Sequence, residues 1–347
     1  MTKKQRLTAI LLAVTALSIS VAATAKKGTK PTGSDKEIAS SAIPVLWRSP
    51  GDIRSRNLLY GSGGEAHAPH TTYTFVKEDM DGTSPKFIVH DENGVKWKVK
   101  MGHEVHSETV ASRFVWAAGY STNEDYFLPE LRVEGMPKHL HRGQQFFDSK
   151  GVAHNVRLKR YLEGEKKSGI WKWSDNPFSN TRELNGLRVV MALINNWDTK
   201  DVNNAIDYEK RSEDSSGPEN IYMVSDLGAT FGTTGVTWKR GGADGILKSY
   251  RDSKFILKAT ETYVDFATPS RPLILDVFDP PDFFMRVHMR WIGRRIPRAD
   301  VQWMGQLLAQ LSPEQIRDAF RAGGYTPDEV EGFSKVVEGR IAQLNKL

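Results

Sequence analysis

The stretch 72–101 constrains the fold most, because three short runs within it alternate between apolar and polar side chains. The runs lie at residues 73–77, 86–90 and 95–101. A two-residue period is typical of strands that bury one face. A turn containing Gly and Pro separates the first two runs, and an Asn-Gly hairpin turn separates the last two. The sequence therefore predicts an antiparallel sheet that starts with these three strands.

A helix and two further strands follow this hairpin series. Apolar side chains recur at helical spacing over 107–118, and Gly119 provides a C-terminal stop. Two later runs, 126–133 and 152–161, are predicted to be strands of the same sheet. The first half is therefore predicted to be an antiparallel sheet that carries one helix.

The second half is predicted to be mainly helical. An amphipathic helix is predicted over 181–194 and a short strand over 221–225, while helices follow one another through 301–347. Ser312 and Pro313 mark the start of one of these helices, because Ser is a favoured N-cap and Pro is tolerated at the first helical position. The two halves together predict an α+β fold class.

Composition excludes several classes of function. The 347 residues include no cysteine, which excludes thiolate catalysis, disulfide scaffolds, Cys-ligated zinc and iron–sulfur clusters. The formal net charge is +6, and Lys3, Lys4 and Arg6 account for half of it. A nucleic-acid-binding protein needs a concentrated basic face. No nucleic-acid partner is therefore predicted.

Residues 1–25 have the three-part pattern of a secretory signal peptide. Three basic residues precede an uncharged, largely apolar run over 7–22, and Ala-Thr-Ala at 23–25 is a small-x-small cleavage site. We predict a cleaved signal peptide with no membrane span after it; the alternative is an uncleaved anchor of similar length. The mature protein is then predicted to be secreted or periplasmic.

Five features with the chemistry of phosphoryl transfer occur in one order along the chain. They are the turn 81–86, Lys100 on a strand, Glu108 on a helix, the loop 196–203 and Asp226-Leu227-Gly228. Phosphoryl transfer needs backbone donors and a cation at the phosphates, a carboxylate at the attacking hydroxyl, and hard oxygen ligands for magnesium. An Asp with an Asn five residues later, followed by Asp-x-Gly, is a protein-kinase pattern.

Over residues 72–232 the sequence resembles the atypical protein kinase superfamily, specifically the HipA-like Ser/Thr kinases, with kinship to phosphatidylinositol kinases and secretory-pathway kinases. The resemblance is carried by a Gly-x-x-x-Lys stretch in the hairpin 81–100 and by Asp198, Asn203 and Asp226. It implies a bilobal protein-kinase-like fold, with an antiparallel sheet and one helix in the N-lobe and a mainly helical C-lobe. The implied organisation is a flexible tether and lead-in over 26–71, an N-lobe over 72–165 and a C-lobe over 166–347.

The resemblance implies roles for five residues of the N-lobe. Gly82 and Ser84 would offer backbone N–H groups to the phosphates of ATP, with help from Lys86. Lys100 would hold the α- and β-phosphates. Glu108 would pair with Lys100.

Two of these assignments have simpler alternatives. Lys96 and Lys98 share one strand face with Lys100, so periodicity alone does not choose among them. Position at the strand end and the resemblance favour Lys100, and a solvated lysine stripe is the alternative. Glu108 could instead be a first-turn acid that stabilises the helix dipole. By the same resemblance, residues 157–159 would lie near the adenine hinge.

The C-lobe residues carry the implied chemistry. Asp198 would be the catalytic base, and Asn203 and Asp226 would bind Mg²⁺ or Mn²⁺. Asp201 and Asn204 in the same loop are interpreted as bystanders. The alternative for the whole loop is a plain helix-terminating turn, because Asn and Asp favour turns.

The predicted function is exported, ATP-dependent phosphotransfer to a hydroxyl acceptor on a protein, glycan or lipid. The family commonly carries His two residues after the catalytic Asp, and this chain has Lys200 there. The alternative is therefore a pseudokinase, or an envelope binding or scaffold protein without transfer activity. A nucleotidyl transferase that binds ATP in the reverse orientation is a narrower variant.

The histidines are concentrated in the first half of the chain. Eight of the nine lie between His67 and His154, including the close pair His139 and His141. They fall in different predicted loops and lack a helical His-Glu-x-x-His frame, so no zinc site is predicted.

Overall fold

A computed structural model describes residues 42–162, 166–196, 198–209, 217–232, 245–267 and 289–347. The strands of these ranges are β1 (Ile43–Val45), β2 (Tyr73–Asp79), β3 (Lys86–Asp91), β4 (Lys96–Met101), β5 (Asp125–Leu131), β6 (Ala153–Arg160), β7 (Lys166–Gly169), β8 (Asn204–Glu209), β9 (Glu219–Val224), β10 (Ile256–Ala259), β11 (Tyr263–Phe266) and β12 (Ile296–Pro297). The α-helices are α1 (Glu104–Ala117), α2 (Arg182–Leu193), α3 (Leu247–Asp252), α4 (Arg298–Leu308), α5 (Pro313–Ala322) and α6 (Pro327–Asn345).

The alternating runs form a five-stranded sheet in the order β2-β3-β4-β6-β5, in which every neighbouring pair is antiparallel. One face buries Phe87, Trp97 and Val99 in an apolar cluster, as the two-residue period requires. Burying a large apolar side chain of this kind contributes about 1.5–3 kcal/mol. The opposite face carries Lys86 and Lys100 and is turned toward α1.

Helix α1 connects this sheet to the main apolar cluster of the molecule. It begins at Glu104, three residues before the predicted start, because Gly102 adopts a φ of 121° and turns the chain out of β4. Val110 and Phe114 on its inner face are fully buried in the main cluster. Glu104 and Glu108, in its first turns, face the sheet.

The helices α2, α4, α5 and α6 pack around the same cluster. Two of the predicted helix starts have a side-chain cap: the Thr181 hydroxyl accepts from the Leu184 N–H, and Ser312 forms a capping box with Gln315. A second capping box begins α6 at Thr326. These caps satisfy N–H groups that a helix cannot satisfy internally. The sheet with α1 and this mainly helical remainder give the α+β fold class that the sequence predicts.

Two smaller sheets among the described residues were predicted only in part. One has the order β1-β9-β8-β7, and the other has the order β10-β11-β12. Strand β8 was missed because its sequence NAIDYE is half polar and resembles turn sequence. Its buried Asn204 donates a hydrogen bond from Nδ2 to the Trp171 carbonyl at 3.0 Å, which satisfies the amide nitrogen inside the fold.

The predicted flexible lead-in is wrong for residues 42–71. Strand β1 pairs in parallel with β9, and Leu46, Ile53 and Leu58 are buried in the main cluster. Burial of these apolar side chains stabilises the folded segment. The polar stretch 26–41 has few apolar side chains that could be buried in the same way. Residues 42–347 form one compact unit, while the predicted signal peptide and tether lie outside the described residues. In the described part of the chain, no helix combines the length and apolar character needed to span a membrane.

Candidate active site

Three cations form one row across the N-lobe sheet. Lys86 on β3 is directly opposite Lys100 on β4, and Lys100 is directly opposite Arg157 on β6. Directly opposed residues on neighbouring strands point to the same face, so all three side chains point toward α1. Like charges placed opposite one another destabilise a sheet unless carboxylates offset them.

Lys100 contacts three such carboxylates. Its Nζ lies 2.6 Å from Oε2 of Glu104, 2.9 Å from Oε2 of Glu108 and 3.9 Å from Oδ1 of Asp226. The side chains of Lys100 and Glu108 are only 5% and 3% exposed, so this ion pair is poorly screened by water. Burial alone would lower the pKa of Lys100, but the carboxylates raise it above its ordinary value. The carboxylates therefore favour the charged form of Lys100.

Glu108 also binds a second cation, which sequence reasoning missed. Arg157 donates from Nη2 to Oε1 of Glu108 at 3.0 Å and from Nη1 to Oδ1 of Asp125 at 2.6 Å. All three residues are buried. Arg157 thus lies within the charge cluster and orients Glu108. Its register opposite Lys100 was the signal, and only the strand pairing reveals that register.

The other two lysines of β4 have different surroundings. Lys98 pairs with Asp79 at 2.8 Å near the rim, and the exposed Lys96 lies with Nζ 4.2 Å from the ring centre of Tyr161. Burial therefore increases along one face of the strand toward Lys100. This gradient distinguishes three lysines that periodicity left equivalent.

The β8–β9 hairpin brings Asn203 and Asp226 together. Asn204 pairs with Val224, so the residues just beyond that pair are neighbours. The N–H groups of Ser225 and Asp226 donate to the Asn203 carbonyl at 2.8 and 3.2 Å. Strand pairing thus brings the backbones of Asn203 and Asp226 together at the end of the hairpin nearest Lys100.

The residues around Asp226 fix its carboxylate. Partial burial favours the neutral acid, but the Lys100 ammonium and the Gly228 N–H, which donates to Asp226 at 3.2 Å, hold the pKa of Asp226 below its usual range. A Cβ atom at Gly228 would lie 2.8 Å from Cβ of Glu104. The Ser107 hydroxyl also donates to the Gly228 carbonyl at 2.7 Å. The glycine of Asp-x-Gly is therefore required by close contact with α1.

The loop after α2 holds Asp198 next to Asn203. The Asp198 N–H donates to Oδ1 of Asn196 at 3.0 Å, and its carbonyl accepts from Nδ2 of Asn203 at 2.7 Å. Lys200, which replaces the family's His, lies with Nζ 3.1 Å from Oδ1 of Asp198. The predicted base and the predicted metal ligand thus belong to one hydrogen-bonded loop.

The two predicted bystanders make contacts with the protein scaffold. Asp201 accepts from the Trp173 N–H at 3.1 Å, and Asn204 donates to the Trp171 carbonyl as described above. Both contacts fix the segment that precedes α2 against this loop. Asp201 and Asn204 therefore have structural partners of their own.

The turn at 80–85 extends over the cluster from the β2–β3 hairpin. The Ser84 hydroxyl donates to Oε2 of Glu104 at 3.3 Å, and Nζ of Lys86 lies 3.3 Å from where a Cβ of Gly82 would stand. Partial burial lowers the pKa of Lys86. Among the described residues, no acceptor binds the N–H groups of Gly82, Thr83 or Ser84. Successive N–H groups of this kind can bind an anion.

The site fits a nucleotide with a divalent metal. The cluster around the two buried cations holds more carboxylates than cations: Lys100 and Arg157 against Glu104, Glu108, Asp125 and Asp226. Asn203 engages Asp198 through its amide nitrogen, and its amide oxygen is a hard ligand, as is the Asp226 carboxylate. Mg²⁺ commonly takes one or two protein oxygens together with phosphate oxygens. Within the described ranges, His, Asp and Glu form no cluster of three or more that would hold a metal without a phosphate.

A pocket of about 670 Å³ lies beside the N-terminal end of α1, separate from this cluster. Its lining includes His103 just before α1, His106 from α1, His154 from β6 and Tyr325 from the connection between α5 and α6. None of the predicted site residues lines it. Sequence reasoning did not predict this pocket, because its lining comes from segments that are distant along the chain.

No family model matches the chain, and no curated protein matches it in sequence. Solved structures that resemble it include the Helicobacter pylori proinflammatory kinase CtkA, with a TM-score of 0.42, 10% identity, and coverage of 80% of this chain and 98% of that one. The Golgi casein kinase gives a TM-score of 0.35 at 11% identity, and its Mn/ADP-bound structure gives a TM-score of 0.37 at 10% identity. Both matches cover 80% of this chain and 73% of the kinase chain. Similarities this distant carry no argument about the site.

Proposed function

We propose that this chain is a kinase-like phosphotransferase that moves the γ-phosphate of ATP to a hydroxyl acceptor. The observation that carries the proposal is the position of the Lys100 ammonium, paired with Glu108 and 3.9 Å from Asp226. A buried cation beside a hard oxygen ligand is suited to phosphate groups that arrive with a divalent metal.

The N-lobe residues supply the binding half of the reaction. Lys100 would contact the α- and β-phosphates, and Glu108 would keep its ammonium group in place. Gly82 and Ser84 would donate backbone N–H groups to the phosphates, and Lys86 would add positive charge at the turn. Preorganised donors of this kind stabilise the charge that develops on the transferred phosphoryl group.

The C-lobe residues supply the transfer half. Asn203 and Asp226 would hold Mg²⁺ or Mn²⁺, which offsets phosphate charge when bound. Asp198 would accept the proton of the acceptor hydroxyl as its oxygen bonds to the γ-phosphorus. The bond from that phosphorus to the bridging oxygen breaks, and ADP leaves. Lys200, beside Asp198, would contact the γ-phosphate.

A second candidate function is nucleotide binding without transfer. The observation in its favour is the ion pair between Lys200 and Asp198, in which the carboxylate oxygen already contacts a cation. Lys200 then occupies the oxygen that the acceptor hydroxyl would need to contact. The chain would then be a pseudokinase or an envelope binding protein.

The proposed setting is outside the cytoplasm, on the basis of the signal-peptide pattern at 1–25. The acceptor would then be a protein, glycan or lipid of the envelope or beyond it. We propose that the boundary between the N-lobe and the C-lobe falls after residue 165 of the sequence.

The test is transfer from ATP that carries label on either the γ- or the α-phosphate. We expect γ-label, and no α-label, on an acceptor mixture of envelope proteins and lipids, with Mg²⁺ or Mn²⁺ present. Asp198→Asn should abolish transfer and keep ATP binding, while the matched variant Asp201→Asn in the same loop should keep both. Transfer of α-label would indicate a nucleotidyl transferase. ATP binding without transfer in the unaltered protein would favour the pseudokinase.

A further inference from the structure

The connection between β5 and β6 reaches back across the sheet to the turn 80–85. Arg142 in this connection donates from Nη1 to the Gly82 carbonyl at 2.6 Å and to the Thr83 carbonyl at 3.4 Å. Its Nη2 donates to the Asp79 carbonyl at 2.8 Å. One guanidinium therefore bonds three backbone carbonyls of the turn and of the strand end that leads into it.

The neighbours of Arg142 attach the same connection to the hairpin. The His141 N–H donates to Oε1 of Glu78 at 2.8 Å, and its ring Nδ1 lies 2.7 Å from Oε2 of that carboxylate. A Cβ atom at Gly143 would lie 2.8 Å from Cβ of Pro85. Because Gly143 has a φ of 88° and no side chain, the connection can pass this close to the turn. The contact between His141 and Glu78 also gives this histidine a structural role that needs no metal.

The Arg142 contacts involve carbonyls and leave the N–H groups of Gly82, Thr83 and Ser84 uncommitted. The other described hydrogen bonds of the turn are few: the Asp81 N–H donates to Asp79 at 3.0 Å, the Ser84 hydroxyl binds Glu104, and the Pro85 carbonyl accepts from Met101. A six-residue turn with so few other bonds depends on Arg142 for its shape. A fixed turn keeps its N–H groups oriented before any ligand arrives.

We propose that Arg142 is a positioning residue, which fixes the turn 80–85 in the conformation that receives the phosphates of the nucleotide. The proposal rests on the proposed function of the site. Without Arg142, nucleotide binding must itself order the turn, and each backbone residue ordered on binding weakens affinity by about tenfold. Lysine cannot replace the arginine fully, because it lacks the planar fork that reaches several acceptors at once.

The test uses the absence of cysteine from the chain, which allows one engineered thiol to be labelled cleanly. Met80 is 55% exposed at the edge of the turn, so Met80→Cys accepts a nitroxide spin label. The label's mobility is compared in Arg142→Ala, Arg142→Lys and the matched control Arg132→Ala. Arg132 is exposed in the same β5–β6 connection. ATP affinity with Mg²⁺ and the thermal unfolding midpoint are measured on the same full-length proteins.

We expect Arg142→Ala to mobilise the label and to weaken ATP binding by about tenfold or more, with Arg142→Lys intermediate and Arg132→Ala unchanged. Equal label mobility in all variants would overturn the proposal, and so would a mobile turn with unchanged ATP affinity. If the unaltered protein binds no ATP, the proposed function fails and the positioning role fails with it. The mobility data would still show whether Arg142 orders the turn, so the two failures remain distinguishable.

Discussion

Replacing Glu108 by Gln tests the charge cluster directly. Glu108 accepts hydrogen bonds from Lys100 at 2.9 Å and from Arg157 at 3.0 Å, and it is 2% exposed. Glutamine keeps the shape but removes the negative charge, and its amide can orient an oxygen toward only one of the two cations. The variant therefore leaves two buried cations with weaker partners.

The expected loss in the free energy of unfolding depends on the carboxylate that each cation keeps in the variant. Removing one partner of a buried ion pair commonly costs about 3–5 kcal/mol. Lys100 keeps Glu104 at 2.6 Å, and Arg157 keeps Asp125 at 2.6 Å. Because each cation keeps one carboxylate, we expect a smaller loss, about 2–3 kcal/mol in the free energy of unfolding. For a domain of this size, that loss lowers Tm by about 4–10 °C.

Glu104→Gln is the matched control. It removes the same charge from the same helix and from the same lysine, but the Glu104 side chain is 33% exposed. Ion pairs that water can reach contribute about 0–1 kcal/mol, so this variant should unfold close to the unaltered protein. The assay is urea unfolding followed by circular dichroism. Equal shifts in the two variants would refute the reasoning, because burial would then not decide the cost.

Three further predictions concern close packing, capping and processing. Gly228→Ala should lower the free energy of unfolding by about 1–3 kcal/mol and weaken ATP binding, because the new Cβ would clash with Glu104. Thermal unfolding and ATP titration check this prediction. An unchanged Tm would contradict the close contact. Ser312→Ala removes a capping box and should cost about 1 kcal/mol in urea unfolding while leaving ATP affinity unchanged. Protein recovered from outside the cytoplasm should begin at Lys26 by mass spectrometry, and an intact Met1 would contradict signal cleavage.

The N-lobe was largely predictable because local rules decide its elements. A two-residue apolar period and an Asn-Gly turn predict β2 to β4, and helical spacing predicts α1. The start of α1 was missed by three residues, because Gly102 sets it through a backbone conformation that apolar periodicity does not report.

The parts that escaped prediction depend on contacts between distant segments. Strand β8 exists because β9 pairs with it, and its polar sequence alone resembles a loop. Arg157 enters the site through its register opposite Lys100. The folded stretch 42–71 depends on β1 pairing with β9, across a large separation in sequence. None of these contacts leaves a local pattern in the chain.

We propose that the site binds ATP through a divalent metal held by Asp226 and Asn203. The most direct measurement is calorimetric titration of ATP into the full-length protein with Mg²⁺, with Mn²⁺ and with a chelator. We expect ATP binding that requires metal, is lost in Asp226→Asn, and is retained in the surface control Asp252→Asn. Absence of binding by a well-folded protein with either metal, or binding that Asp226→Asn leaves unchanged, would contradict the account.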